Sequence, residues 1–135
     1  MKAEDLMVGD WVKPLREKLK GTPGKVVTPD GGCNICWIDC EEYSCLVPCD
    51  ELEPIPLTPE ILEKNGFSGE GYNMGVIGFH TDPIPEVKDG YEVFIWKDMC
   101  LEIKHGFTHL KRYTFYVHEL QHCLKLCGIN LEITV

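Results

Sequence analysis

The clearest pattern in the sequence is a run of apolar residues at helical spacing near the C-terminus. On a wheel at about 100° per residue, one face collects most of the apolar side chains between Leu110 and Cys127. These are Leu110, Tyr113, Tyr116, Val117, Leu120, Cys123, Leu124 and Cys127. Gly128 follows directly and suits a helix C-terminus. The pattern predicts a long amphipathic helix from about Leu110 to Cys127, laid on a sheet.

A second apolar pair lies opposite that face. Phe115 and Leu126 fall together on the far side of the predicted helix. A helix that is apolar on two sides is buried on two sides. We therefore predict that Phe115 and Leu126 contact either the N-terminal half of the chain or a second subunit.

The N-terminal part of the chain reads as short strands separated by glycine and proline turns. Strands are predicted at 11–12, 25–28, 33–40 and 43–47. Pro29-Asp30-Gly31-Gly32 is a strong turn signal between two of them. Strands of this length and spacing predict either a small, bent antiparallel sheet or an SH3-like half-barrel over residues 1–52.

Residues 53–67 are predicted to be a proline-rich linker that ends in a short helix. Pro54 and Pro56 cannot donate hydrogen bonds to a ladder, which excludes this stretch from a central strand. Thr58 is a good N-cap, Pro59 suits the first helical position, and Asn65-Gly66 is a C-terminal stop.

Residues 68–135 are predicted to form a β-β-β-α-β subdomain. Strands are expected at 72–79, 91–97 and 100–104 before the long helix, and at 131–135 after it. The fold class is therefore α+β, with an N-terminal half-barrel followed by an antiparallel sheet that one long C-terminal helix covers.

Charge narrows the range of partners. The 135 residues include 22 acidic and 13 basic side chains, a formal net charge of −9. A field of that sign repels phosphate backbones, so a nucleic-acid partner is disfavoured. Two groups of basic residues could still form local basic patches. A nucleic-acid-binding small barrel therefore remains an alternative. The groups are Lys13, Arg16, Lys18, Lys20 and Lys25, and then Lys104, Lys111 and Arg112.

The sequence also predicts a cytoplasmic location. The first residues contain no apolar core of a signal peptide, and no run of about 18 apolar residues could span a bilayer, so no membrane partner is expected. In a reducing compartment the eight cysteines are expected to be thiols or metal ligands rather than disulfides.

The segment His118-Glu119-Leu120-Gln121-His122 matches the H-E-x-x-H pattern. Histidines four residues apart on a helix can hold one zinc ion, and the glutamate can act as general base on metal-bound water. On the wheel both histidines point away from the main apolar face. His118 and His122 are therefore candidate metal ligands, and a minimal metallohydrolase is an alternative function.

The surroundings of this motif favour a simpler interpretation. A catalytic zinc ion needs a third protein ligand. The short segment after His122 contains no histidine, and Glu132 is its one acidic residue. We therefore predict no catalytic residues and no enzyme, and interpret His118 and His122 as part of a polar helix face.

Five cysteines lie close together in the N-terminal half. Cys33-x-x-Cys36 and Cys45-x-x-x-Cys49 could enclose a structural zinc ion across a hairpin. The second pair is one residue too widely spaced for a zinc-ribbon knuckle, and in a strand Cys33 lies on the opposite face from Cys36 and Cys40. A redox pair of Cys33 and Cys36 lacks the usual βαβ context. Core and surface thiols are the favoured interpretation, so no cofactor is predicted.

Three blocks of sequence are similar to one family. They are Val8–Val12, Pro54–Phe67 and Val117–Ile129. In this order and spacing they resemble a group of small bacterial proteins with no assigned activity, found in gut anaerobes and in their prophage-like or mobile elements. Members of that group often carry Gln at the position of Glu119 and sometimes Asn at that of His122. The resemblance therefore implies a function that does not depend on H-E-x-x-H.

The predicted function is that of a non-enzymatic accessory protein of mobile-element type, working by protein–protein contact. The acidic charge, the incomplete catalytic set and the two-sided helix all favour it. A protein partner is expected, and a homodimer remains an alternative. The zinc protein or metallohydrolase and the nucleic-acid-binding barrel remain the two alternatives.

Overall fold

A computed structural model describes residues 1–15, 22–30, 32–68, 78–81, 91–96 and 98–135. The chain divides into two compact units. Unit 1 comprises Met1–Pro56 and Tyr116–His118, and unit 2 comprises Leu57–Phe115 and Glu119–Val135. Each unit contains a five-stranded antiparallel sheet, which confirms the α+β class. The boundary at Pro56 falls inside the segment predicted as a linker.

The sheet of unit 1 (sheet 1) is built from five short strands. They are β1 (Trp11–Pro14), β2 (Gly24–Asp30), β3 (Ile35–Cys40), β4 (Ser44–Pro48) and β5 (Leu52–Pro54). Their order across the sheet is β4-β3-β2-β1-β5. Short 3-10 helices at Ala3–Asp5 and Cys49–Glu51 complete the unit. The predicted strands of residues 11–47 are thus present, each with somewhat different ends.

The proline-rich segment begins as a strand rather than as a linker. Residues Leu52–Pro54 pair with β1, with Val12 opposite Pro54 and Pro14 opposite Leu52. This strand stands at the end of the strand order, where a proline that lacks an N–H removes no ladder bond on the outer side. The prediction that the prolines avoid a central strand agrees with this position, but the linker assignment of residues 53–54 is wrong.

The core of unit 1 follows from side-chain alternation along β3. Cys36, Ile38 and Cys40 are buried on one face, whereas Trp37 and Asp39 are exposed on the other. The buried side chains join one apolar cluster with residues of β1, β2, β4 and the 3-10 helices. Its members are Ala3, Leu6, Val12, Val26, Cys36, Ile38, Cys40, Val47, Cys49 and Leu52.

Unit 2 begins with the short helix that its capping residues predict. Helix α1 spans Pro59–Lys64, and the Thr58 Oγ1 accepts a hydrogen bond from the Ile61 N–H at 3.3 Å. Gly66 follows at φ +84°, a left-handed conformation that glycine adopts without a Cβ clash. The local cap and stop signals therefore located this helix correctly.

The C-terminal segment does not form the strand predicted at 131–135. Instead, the side chain of Asn65 binds the backbone of Thr134 twice. Its Nδ2 donates to the Thr134 carbonyl at 2.7 Å, and its Oδ1 accepts from the Thr134 N–H at 2.8 Å. Because these backbone groups bond to a side chain, they take no part in a ladder at that point. Within residues 131–135 only Ile133 is buried, so the apolar residues that predicted a strand here include one core side chain.

The sheet of unit 2 (sheet 2) also has five strands. They are β6 (Phe67–Ser68), β7 (Gly78–Thr81), β8 (Tyr91–Trp96), β9 (Cys100–His105) and β10 (Thr108–Tyr113), in the order β10-β9-β8-β7-β6. The strand predicted at 72–79 lies mostly outside the described residues. Those predicted at 91–97 and 100–104 correspond to β8 and β9, although Lys97 is itself not described.

The long helix is shorter than predicted because its first part is a strand. Helix α2 spans Val117–Leu126, whereas Thr108–Tyr113 form β10 and pair with β9 over six residues. Gly106, at φ +59°, starts the two-residue turn of that hairpin. At the other end, Gly128 at φ +70° and the Ile129 N–H, which donates to the Leu124 carbonyl at 2.9 Å, close α2 in a Schellman cap.

Among the residues that the structure describes, no helix has the length and apolar character needed to cross a bilayer.

Gly24 supplies a test of the packing in unit 1. A Cβ at this position would lie 2.5 Å from the Ile38 Cγ2 and 2.7 Å from the Cys40 Sγ, both in the buried cluster. We expect Gly24→Ala to lower the free energy of unfolding of unit 1 by about 1–3 kcal/mol, because the core must shift to admit the methyl group. Urea unfolding followed by circular dichroism measures the change.

Gly32→Ala is the matched control. Its added Cβ would have only the exposed Asp30 Oδ1 nearby, at 3.3 Å. This variant should stay within about 0.5 kcal/mol of the wild type. Equal stability of the two variants would contradict the close packing of β2 against β3.

Candidate functional site

The H-E-x-x-H motif lies on α2, but its first histidine is not on an exposed polar face. His118 is buried, and its ring stacks on Tyr116 with the two centroids 6.0 Å apart. The prediction that both histidines point away from the apolar side is therefore wrong for His118. His122 is half-buried.

Glu119 has a structural task at the start of α2. Its Oε2 accepts a hydrogen bond from the Phe115 N–H at 2.7 Å. Glu119 is the third residue of the helix, and a carboxylate there satisfies an N-terminal backbone donor and interacts favourably with the helix dipole. The carboxylate that the zinc hypothesis assigns as general base therefore caps the helix.

A small pocket of about 160 Å³ lies in unit 2. It is lined by Arg112, Tyr113, Thr114, Glu119, His122 and Cys123. Burial raises the pKa of the Cys123 thiol, although the Arg112 charge and hydrogen bonds from Thr114 and Arg112 oppose the change. A thiol with a raised pKa stays protonated at neutral pH and is a poor nucleophile. The pocket thus lacks the activated cysteine that covalent catalysis requires.

The cysteine candidates for zinc are divided by the structure. Cys33 is exposed before β3, and Cys45 is half-buried in β4, opposite Ile38. Cys36 and Cys49 are fully buried, with their Sγ atoms 3.1 Å apart. Within the described segments, no group of three or more His, Cys, Asp or Glu side chains is placed to hold a metal ion.

The two residues predicted to be buried on a second helix face are both exposed. Phe115 is 51% exposed and precedes α2, and Leu126 is 66% exposed at its last position. The helical wheel placed them together only because it extended the helix back through β10. Phe115 instead stacks on Tyr113, with centroids 6.4 Å apart and planes 8° apart. Neither residue is covered within the chain as described.

One face of sheet 2 collects polar and aromatic side chains. The register of β8, β9 and β10 places alternate residues on this side, which we call the outer face. It comprises Phe94, Trp96, Cys100, Glu102, Lys104, His109, Lys111 and Tyr113. The opposite face carries Val93, Ile95, Leu101 and Ile103, all buried. The alternation therefore separates a core face from a partly exposed one.

Glu102 is the electrostatic centre of the outer face. Its Oε1 lies 2.9 Å from the His109 Nε2 and 3.6 Å from the Lys104 Nζ, and the Trp96 indole also donates to the carboxylate. Burial raises the pKa of Glu102, but these hydrogen bonds and the lysine charge outweigh burial and hold the pKa below the usual value of a glutamate. Glu102 is therefore ionised at neutral pH and fixes His109 and Trp96 in place.

Aromatic rings occupy one end of the outer face. Phe94 and Trp96 stack with centroids 6.0 Å apart. Cys100 lies opposite Tyr113, which is 65% exposed and stacks on Phe115. Exposed aromatic rings of this kind are enriched where proteins bind partners.

The β9–β10 hairpin is basic within an acidic chain. Between Cys100 and Tyr113 the sequence has three Lys and Arg residues, Lys104, Lys111 and Arg112, against the single acid Glu102. The basic group noted in the sequence is thus brought onto one hairpin, with Lys104 and Lys111 on the outer face and Arg112 on the other. Of the N-terminal basic group, Arg16, Lys18 and Lys20 lie outside the described residues.

Strand β10 is an exposed edge. It ends the strand order of sheet 2, and five of its six residues are exposed, all except Leu110. The sequence interpretation missed this strand because it assigned Leu110 and Tyr113 to the helix. The alternation of His109, Lys111 and Tyr113 on one side with Leu110 on the other was the signal that could have revealed it.

The Glu102 network predicts a pH effect on stability. Its pKa is lower in the folded than in the unfolded protein, so the carboxylate stabilises the fold above its unfolded pKa and loses that effect as pH falls through the folded value. We expect Glu102→Gln to lower Tm by about 2–4 °C at neutral pH, and to have a progressively smaller effect as pH falls from the unfolded pKa through the lower folded pKa. Thermal unfolding across this range measures both.

Glu42→Gln is the control, because Glu42 is exposed in the turn between β3 and β4. It should keep the pH profile of the wild type. A Glu102→Gln variant that lowers Tm equally at neutral pH and below the folded pKa would contradict the role given to the ionised carboxylate.

Comparisons with known proteins assign no family. No protein-family model, no curated protein and no solved structure matches the chain.

Proposed function

We propose that this chain is a non-enzymatic, cytoplasmic accessory protein of mobile-element type that binds an acidic, extended segment of a partner protein along β10. The proposal is supported most directly by three properties that occur together in β10. β10 is an edge strand, its side chains are almost all exposed, and it presents basic and aromatic residues in a chain of net charge −9.

Main-chain pairing would supply much of the binding. An edge strand offers backbone N–H and C=O groups that an extended peptide can pair with, as in β-strand addition. In the described strand order β10 has β9 on one side. An added strand of comparable length would extend the sheet by one position and cover this edge.

Side chains on β10 favour an acidic partner. His109, Lys111 and Tyr113 lie on the outer face, so alternate side chains of an added strand would lie beside them. Glutamate or aspartate at those positions complements Lys111, and an apolar residue can pack on Tyr113. Complementary charge contributes specificity and association rate more than affinity, so binding should weaken as salt concentration rises.

The charge distribution favours a protein partner over a nucleic acid. The overall charge of −9 repels a phosphate backbone, and three basic residues on one hairpin give few phosphate contacts. Glu102 also places an ionised carboxylate at the centre of the outer face. A short acidic peptide held at the edge avoids that carboxylate more easily than a polyanion does.

Two features support a function without catalysis. Glu119, the residue that would act as general base, accepts the Phe115 N–H as a helix cap. Cys123, the thiol in the pocket of unit 2, has a pKa raised by burial. Binding through the edge strand needs neither group to react.

A labelled peptide of alternating glutamate and valine tests the proposal. Fluorescence polarisation should show saturable binding that weakens with salt. We expect Lys111→Glu to weaken binding by about fivefold to tenfold, because one close attraction becomes a repulsion. Lys2→Glu makes the same charge change at an exposed lysine of unit 1 and should leave the affinity unchanged.

The same peptide with N-methylated backbone amides separates strand pairing from charge attraction. If β10 pairs with the peptide, N-methylation should abolish binding although the charges remain. Equal binding of both peptides would overturn the strand-addition proposal. Binding of an oligothymidylate in place of the peptide would favour the nucleic-acid alternative, and self-association lost in Lys111→Glu would indicate a homodimer.

A further inference from the structure

The core of unit 1 contains two thiols in contact. Cys36 lies in β3, and Cys49 begins the 3-10 helix after β4. Their Sγ atoms are 3.1 Å apart, and neither residue has exposed surface. A disulfide bond is about 2.05 Å long, so the two sulfur atoms need to move by only about 1 Å to bond.

The backbone around the pair is held by contacts that do not involve sulfur. The β3–β4 register places Cys36 opposite Val47, two residues before Cys49. The Cys49 N–H donates to the Asn34 carbonyl at 2.9 Å. Asn34 in turn accepts the Ala3 N–H on its Oδ1 at 3.1 Å. The proximity of the two thiols is therefore a consequence of the fold.

We propose that Cys36 and Cys49 are a disulfide-forming site, at which a peroxide converts the two thiols into a bond that links β3 to the helix after β4. One sulfur attacks a peroxide oxygen and becomes a sulfenic acid as water leaves. The other sulfur then displaces the sulfenic hydroxyl as a second water and forms the S–S bond. The two thiols lose two electrons and two protons, and the peroxide is reduced to water.

Burial controls when this reaction occurs. Desolvation, together with the hydrogen bond and charge of Cys49, raises the pKa of Cys36 to about 12, so the buried Cys36 thiol is protonated and unreactive. Reaction requires local opening of the structure around the pair. The N-terminal segment packs in the same cluster through Ala3, and the Met1 amino group donates to the Cys49 carbonyl at 3.0 Å. The same burial protects the disulfide from reductants once it has formed.

The chain supplies its own competing pairs. Cys40 and Cys45 flank the β3–β4 turn, and the pKa of Cys40 is raised first by burial and then by the nearby Cys45. Cys33 is exposed and is the thiol most accessible to an oxidant. If accessibility alone decided the product, Cys33 would react first. If the preformed contact decides it, Cys36 and Cys49 become linked.

Peptide mapping after treatment with hydrogen peroxide distinguishes these outcomes. Free thiols are alkylated under denaturing conditions, and cleavage after Glu41 or Glu42 separates the peptide of Cys36 from that of Cys49. We expect a linked peptide pair, an intact mass lower by two hydrogen atoms, and a Tm higher by roughly 10 °C than that of the reduced protein. Mild urea should accelerate the linkage, because it promotes opening.

Single variants assign the bond. Cys33→Ser and Cys45→Ser should keep the link, whereas Cys49→Ala should lose it while remaining folded by circular dichroism. Fragmentation of the linked wild-type peptides between Cys36 and Cys40, and between Cys45 and Cys49, assigns the bond even if a variant unfolds. A link that persists in Cys49→Ala, a disulfide between Cys40 and Cys45, or a dimer joined through Cys33 in place of the internal bond would overturn the proposal.

Discussion

The six-pair register between β9 and β10 determines the chemistry of unit 2. Side chains alternate along a strand, so a slip by one residue would exchange the two faces completely. In the observed register Leu110 lies opposite Ile103, and Lys111 lies opposite Glu102. The first pair belongs to the buried face and the second to the outer one. Tyr113, Lys104, Lys111 and Glu102 share a surface because of this register.

The error in the helix prediction shows what a local pattern cannot decide. Leu110, Tyr113 and Val117 fit a helical period, but in a segment as short as β10 the same residues also fit a strand. The pairing of these residues with β9 selects the strand. The residues of β9 lie outside the segment in which the helical period was found. Because Thr108–Tyr113 form β10, Phe115 precedes α2 and does not form a second apolar helix face with Leu126. Contact of either exposed residue with a second subunit stays a prediction.

Other parts of the fold follow from signals that are local and could be predicted. Thr58 and Gly66 mark the two ends of α1, and Gly128 marks the end of α2. The parity of β3 also groups Cys36 with Cys40, and both are buried, whereas Cys33 precedes the strand. The contact of Cys36 with Cys49 depends instead on the path of the chain after β4. The spacing of the cysteines in the sequence therefore did not favour this pair over a zinc site formed by four cysteines.

Both proposals depend on an antiparallel hairpin, β3–β4 in unit 1 and β9–β10 in unit 2. The β9–β10 pairing in unit 2 has the more direct test. Amide hydrogen exchange followed by NMR reports on each residue of β10. If β10 is an edge strand, protection against exchange should alternate along Thr108–Tyr113. Amides that point toward β9 should exchange at least roughly tenfold more slowly than amides that point away from β9. Uniform protection running from Leu110 into α2 would mean a continuous helix, and uniform protection confined to β10 would mean a covered edge. Either result would contradict the account.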